Sequence, residues 1–157
     1  MIDDLAIARA VHVVSVAHWI GGVFFVTLVV LPGLRRIEAE RRVALFDTIE
    51  RGFAGQARIS TLLAGLTGFY MLARTDSWFM LVNPRSWWIP GMLALWIVFT
   101  LMLFVLEPLV LHRWFDERAA RDPEGTFALV LRLHRVLSTI AAIVLVGGVA
   151  GIHGLAF

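Results

Sequence analysis

The chain alternates long apolar runs with polar segments. Apolar runs cover about residues 5–34, 58–73, 88–112 and 126–153, and the second of them is the shortest. A helix needs about 20 mostly apolar residues to cross a bilayer. Because these runs and their short connections use up residues 1–157, the pattern predicts one all-α domain, an integral membrane four-helix bundle.

The polar segment at residues 35–57 keeps a helical pattern of its own. Its charged side chains are interrupted by apolar positions at a spacing typical of an amphipathic helix, namely Ile37, Val43, Leu45, Phe46, Ile49 and Phe53. Such a helix lies in the membrane interface with its apolar side turned inward. Asn83-Pro84 and Asp122-Pro123 predict turns in the other two connections, at residues 74–87 and 113–127.

The arginines set the orientation. The connections before and after the middle pair of runs, with their flanks, hold eleven: Arg35, Arg36, Arg41, Arg42, Arg51, Arg58, Arg113, Arg118, Arg121, Arg132 and Arg135. Three others, Arg9, Arg74 and Arg85, lie on the opposite side. Because cytoplasmic loops carry the excess of basic residues, both termini are expected outside and the amphipathic helix in the cytoplasm, as in a bacterial inner membrane protein.

Composition narrows the chemistry. The chain is 59% hydrophobic with a mean hydropathy of +0.81, and it contains neither cysteine nor lysine. Disulfides, thiolate metal sites and iron–sulfur clusters are therefore excluded. The basic pI of about 10.4 comes from arginines beside apolar runs, so we expect the lipid bilayer, and not nucleic acid, as the partner.

The five histidines are the principal candidates for function, because ionisable side chains within membrane spans are costly and usually face the bundle interior. His12, His18 and His153 are expected in the outer half of the membrane. His112 and His134 are expected near the cytoplasmic ends of their helices.

Imidazoles on facing helices suit haem b, which is held by axial nitrogens and needs small residues around the porphyrin. They equally suit copper or zinc, with His12, His18 and His153 as the metal ligands. Glycines in the spans could supply porphyrin space or simply allow close helix packing. All five histidines are candidate cofactor ligands.

Glu107 is the acidic residue that lies well inside a predicted span. Arg58 enters the second span from the same side, so the two are expected to form an ion pair. A proton-relay or quinone-site role for them is an alternative.

Two segments carry a family resemblance. Residues 11–25, with His12 followed by Trp19, Gly21, Gly22 and Phe25, are similar to the first helix of the copper resistance protein D superfamily. Residues 65–72 resemble that superfamily's glycine-bearing second helix. The superfamily includes proteins linked to copper uptake and the HemJ-type protoporphyrinogen oxidases, which resemble haem b proteins.

The resemblance implies a haem- or copper-handling membrane protein, with His12 matching the family histidine. The HemJ-type oxidases pair that histidine with a lysine at the start of helix three, where this chain has residues 88–92 and no lysine. The extra histidines point instead to cofactor ligation.

Three functions follow as hypotheses. The first is a cytochrome b-like protein that binds haem b and transfers electrons, with a quinone or a periplasmic redox protein as partner. If it is an enzyme, it is a membrane oxidoreductase. The second is a copper-binding or copper-transport protein. The third is an accessory subunit without a cofactor, and association into a homo-oligomer is compatible with each of them.

Overall fold

The computed structural model describes residues 3–154, apart from the side chains of residues 40 and 110–113. This part of the chain consists of helices and short turns and contains no strand, which confirms the all-α prediction.

The first long helix runs without a break through three segments: α1 (Asp4–Phe25), a π-helical segment (Val26–Val30) and α2 (Leu31–Leu34). The carboxylate of Asp3 caps its start by accepting a hydrogen bond from the backbone N–H of Leu5. Pro32 has no N–H to donate and its ring crowds the carbonyl four residues earlier. The wider π turn immediately before Pro32 accommodates this mismatch.

The next helix, α3, spans Ala39–Arg74, 36 residues or roughly 54 Å. The sequence pattern divides this stretch into an interfacial helix and a second span, whereas the structure joins them. No proline lies between residues 39 and 74, so nothing interrupts the backbone hydrogen bonds where the polarity changes.

Two 3₁₀ turns, Trp78–Leu81 and Pro84–Ser86, lead to α4 (Trp88–Leu101). A second π-helical segment, Met102–Leu111, contains Pro108 and continues into α5 (His112–Arg121). Asp122 then caps α6 (Pro123–Ile152) by accepting a hydrogen bond from the N–H of Gly125. The polar connection expected at residues 113–127 is therefore helical on both sides of Asp122.

Within residues 3–154, three helices are long and apolar enough to cross a membrane: Asp4–Leu34, Trp88–Leu109 and Pro123–Ile152. Their outward faces carry exposed apolar side chains such as Val14, Leu28 and Val146. An apolar surface of this extent is compatible with contact to lipid.

The helices pack around two groups of buried side chains. One lies between α1, α3, α4 and α6 and includes Trp19, Ile20 and Phe99. The other lies where α2, the first half of α3 and the start of α6 meet, and it includes Leu31 and Phe127. The candidate site described next lies between these two groups.

Candidate functional site

A cavity of about 180 Å³ opens between α1, α3, α4, α5, α6 and the two π-helical segments. Its walls are mostly apolar, and six of the lining residues are aromatic: Trp19, Phe46, Phe53, Phe99, Trp114 and Phe115. Its ionisable residues are Asp47, Glu50, Glu107 and His134. An apolar pocket with a few polar groups is the usual form of a small-molecule site.

His134 of α6 is half-buried in the cavity wall, with its ring edge-on to that of Phe46 at a centroid distance of 5.6 Å. Its Nδ1 lies 3.0 Å from the backbone oxygen of Val130. Because a carbonyl oxygen accepts only, Nδ1 carries the hydrogen, and the lone pair of the neutral ring is on Nε2. Fixing the tautomer in this way prepares Nε2 to accept a proton or to bind a metal.

Two of the cavity carboxylates are paired with arginines. Glu107 is buried, and its Oε1 lies 3.0 Å from Nη2 of Arg58. The Nε of the same arginine donates a hydrogen bond to the backbone oxygen of Leu103, at 3.0 Å. Asp47 pairs with Arg51 one turn along α3, at 2.9 Å. The Arg58–Glu107 pair thus joins α3 to the π-helical segment at the cavity wall.

Glu50 is the cavity carboxylate that titrates close to neutral pH. Although the residue as a whole is exposed, desolvation of its carboxyl group raises its pKa from 4.5 to about 7. The negative charges of Glu107 and Asp47 add to this rise, and Arg51 opposes it. Glu50 therefore exchanges its proton close to neutral pH.

His12 and His18 both face α3. The Nδ1 of His12 lies 2.9 Å from the backbone oxygen of Ala64 and 3.2 Å from the hydroxyl of Thr67. The Nδ1 of His18 lies 2.8 Å from the hydroxyl of Ser60. His12 is half-buried, whereas His18 is exposed.

The remaining histidines lie elsewhere. His153 is exposed at the end of α6, with Nδ1 2.8 Å from the backbone oxygen of Val149. The side chain of His112 lies outside the described part of the structure. Among the side chains that are described, no group of three or more His, Asp or Glu is placed to hold a metal ion, so His12, His18 and His153 are not assembled into one site.

Haem b requires space as well as a nitrogen ligand. A Cβ placed on most of the span glycines would meet a large side chain of a neighbouring helix: Phe53 at Gly22, Trp96 at Gly65, Trp87 at Gly147, Met92 at Gly148 and Trp88 at Gly151. The inner cavity, at about 180 Å³, is smaller than the roughly 300–1,000 Å³ of drug-sized ligand sites. The imidazoles suit iron, but the side chains packed on these glycines fill the space that the glycines could have supplied to a porphyrin.

No protein-family model, curated protein or solved structure matches the chain. The site must therefore be interpreted from its own geometry.

Neither Glu50 nor the aromatic wall is among the functional residues that the sequence pattern predicts. A signal was present: Phe46, Glu50, Phe53 and Ala57 follow the i, i+4, i+7, i+11 spacing of one helix face, and all four line the cavity. The polarity of the segment predicts a position on the membrane surface, and this prediction does not connect the face with the bundle interior.

Proposed function

We propose that this protein is a four-span redox protein of a bacterial inner membrane that binds the head group of a lipid-soluble quinone in the cavity. The observation that carries this proposal is the aromatic wall of the cavity, which brings together a histidine with a free Nε2 and a carboxyl group titrating near pH 7.

A quinone matches the cavity in size, charge and chemistry. A single ring with a tail extending towards lipid needs less space than a porphyrin, and aromatic side chains pack well against its faces. The carboxylates of Asp47, Glu50 and Glu107 disfavour anionic ligands such as fatty acids or haem propionates. A quinone is neutral in both of its stable redox states.

Proton exchange would involve two groups of the cavity. A quinol hydroxyl donates to Nε2 of His134, and the second hydroxyl donates to the carboxylate of Glu50. Oxidation of one quinol then releases two protons to these groups and two electrons. The two electrons pass one after the other to two molecules of a separate one-electron redox protein.

The topology belongs to the same proposal. The second half of α3, from about residue 58, would form a span beside the three apolar helices, and its first half would be the cytoplasmic amphipathic segment. The arginine distribution supports cytoplasmic connections at residues 35–57 and 113–127 and outer termini. The cavity would then lie in the cytoplasmic half of the bundle.

Binding of haem b or of copper by the histidines remains a prediction, which a direct measurement can test. The optical spectrum of the protein, purified after haem supplementation, shows a Soret band if a histidine ligates haem, and metal analysis detects copper. Membership of the copper resistance protein D superfamily is likewise a proposal, based on the first-helix resemblance.

The test of the quinone site is saturable binding of a short-tailed ubiquinone to the protein in nanodiscs, followed by tryptophan fluorescence quenching. We expect His134→Leu and Glu50→Gln to weaken binding about tenfold each, the effect of losing one hydrogen bond worth about 1.4 kcal/mol. Thr139→Val is the matched control, because this exposed hydroxyl of α6 bonds only its own helix, at Arg135. Quenching that does not saturate, or that both variants leave unchanged, would exclude the site.

A further inference from the structure

The buried face of the helix that contains α4 changes its spacing at the π-helical segment Met102–Leu111. Within α4, Leu95 and Phe99 are both buried. An α-helix turns by about 100° per residue, so a continued α-helix would return to within about 20° of the Phe99 face at Leu106. In the structure, however, Leu106 is 42% exposed and Glu107 is 8% exposed. The buried position therefore comes one residue later than an α-helix would place it.

This change of register brings Glu107 to the cavity. In an α-helix, Glu107 would lie about 80° around the axis from Phe99 and about 140° from Met102. In a π-helix, residues five apart are joined by a backbone hydrogen bond, so Met102 and Glu107 share a face. Both of them line the cavity with Phe99, whereas Leu106 does not line it. The register thus decides whether the cavity wall carries a carboxylate or an apolar side chain at this level.

Pro108 explains why the segment departs from α-helical geometry. In the α register, its ring would crowd the carbonyl of Phe104, four residues earlier. In the π register, the N–H of residue 108 would be the donor for the carbonyl of Leu103, but proline has no N–H. The register that avoids the crowding therefore leaves one backbone carbonyl without a donor from its own helix, and such a group needs another partner.

Arg58 of α3 supplies that partner. Its Nε donates a hydrogen bond to the backbone oxygen of Leu103, at 3.0 Å. Its Nη2 lies 3.0 Å from Oε1 of Glu107. The rigid fork of a guanidinium presents several donors at once, so one side chain binds both the carbonyl that Pro108 leaves without an N–H and the carboxylate that the π register turns inward.

We propose that Arg58 and Pro108 together hold Met102–Leu111 in the π register, and that this register makes Glu107, in place of Leu106, part of the cavity wall. Pro108 opposes the α register, and Arg58 satisfies the carbonyl of the π register. Arg58 is thus a positioning residue of the cavity, because it acts through Glu107 and through the backbone that carries it. The proposal rests on the proposed function only in treating the cavity as the binding site.

The test follows the surroundings of position 106. The chain contains no cysteine, so a trifluoroethylthio label attached to Leu106→Cys gives one fluorine signal from the protein in nanodiscs. Dissolved oxygen concentrates in the lipid interior and accelerates the relaxation of fluorine nuclei there. In the otherwise unaltered chain we expect strong acceleration, because this position is exposed on the apolar surface.

The double variant Arg58→Met/Pro108→Ala removes both parts of the proposed lock. The segment should then adopt the α register, position 106 should turn inward, and its acceleration by oxygen should fall severalfold. Val98→Cys is the matched reporter, because Val98 is 46% exposed in α4, before the segment begins. Its acceleration should be the same in both backgrounds, which separates a change of register from a general loosening of the bundle.

Glu107→Gln tests whether the ion pair alone sets the register. This variant retains Arg58, Pro108 and an oxygen that accepts from Nη2, so position 106 should stay exposed. Pro108→Ala alone should change the relaxation in the same direction as the double variant, and it decides the outcome if circular dichroism shows that the double variant does not fold.

Unchanged relaxation at position 106 in the double variant and in Pro108→Ala would overturn the proposal. An inward turn of this position in Glu107→Gln would do the same, because the ion pair would then be sufficient to set the register. No ligand takes part in this measurement, so a failure of quinone binding would leave its result unaffected.

Discussion

At the scale of single residues, Glu50 makes the free energy of unfolding depend on pH. Its folded-state pKa of about 7 lies above the ordinary 4.5, so the folded state binds more protons than the unfolded state between these values. The free energy of unfolding contributed by this residue therefore falls as pH rises from 4.5 to about 7. Melting temperatures measured across this range should show the loss.

Glu50→Gln should remove that slope, because the amide does not titrate. Glu117→Gln is the matched control, since this exposed carboxylate pairs with Arg121 on the surface of α5. An unchanged slope in Glu50→Gln would show that other groups cause the pH dependence.

The sequence predicts which charged residues pair better than it predicts the surroundings of the histidines. The Arg58–Glu107 contact follows from the expected depth of two charges. The tethering of His12 by the Ala64 carbonyl and the exposure of His18 depend on how far α1 is rotated against α3. Successive residues on a helix are about 100° apart, and hydropathy alone does not specify the rotation of α1 that closely.

At the scale of helices, aromatic side chains of one helix pack against glycines of the next. The indole of Trp96 packs over Gly65, where an added Cβ would lie 2.5 Å from its Cε2, and its Nε1 donates to the Thr61 backbone oxygen at 2.8 Å. Gly65→Ala should therefore displace the indole and cost about 1–3 kcal/mol of unfolding free energy, measured by denaturant titration in micelles.

Gly21→Ala provides the matched comparison. No atom lies within 4 Å of a Cβ at this position, so the substitution should stabilise α1 by about 0.5–1 kcal/mol through its better helix propensity. Equal effects at both positions would show that the glycines matter only through the backbone. From the sequence, the span glycines are compatible both with close helix packing and with space for a porphyrin. A glycine has no side chain, so the sequence does not indicate what lies beside it.

At the scale of the whole molecule, Arg42 holds together segments that are far apart in the chain. Its side chain is 11% exposed. It donates to the backbone oxygens of Leu34 and Ile37 at 3.1 and 2.8 Å, and to both carboxylate oxygens of Glu124 at 3.2 Å. It also lies over the ring of Phe127. The turn between the first two long helices is thereby fastened to the start of α6.

Arg42→Met keeps much of the side-chain volume but leaves these backbone oxygens without their donor, which should cost about 1–3 kcal/mol of unfolding free energy. Glu124→Gln should cost less than about 1 kcal/mol, because this carboxylate is 70% exposed. Denaturant titration of both variants distinguishes the two contributions. If the losses are equal, the ion pair, and not the backbone contacts, is the stabilising element.

The contact between Arg42 and Glu124 also has a consequence for biosynthesis. The two residues are 82 positions apart, so the ribosome makes the first helical hairpin long before the carboxylate that completes its turn exists. Until α6 emerges, the guanidinium has only backbone oxygens of its own hairpin to bind. Docking of α6 therefore supplies the carboxylate that fastens the turn of a hairpin made much earlier.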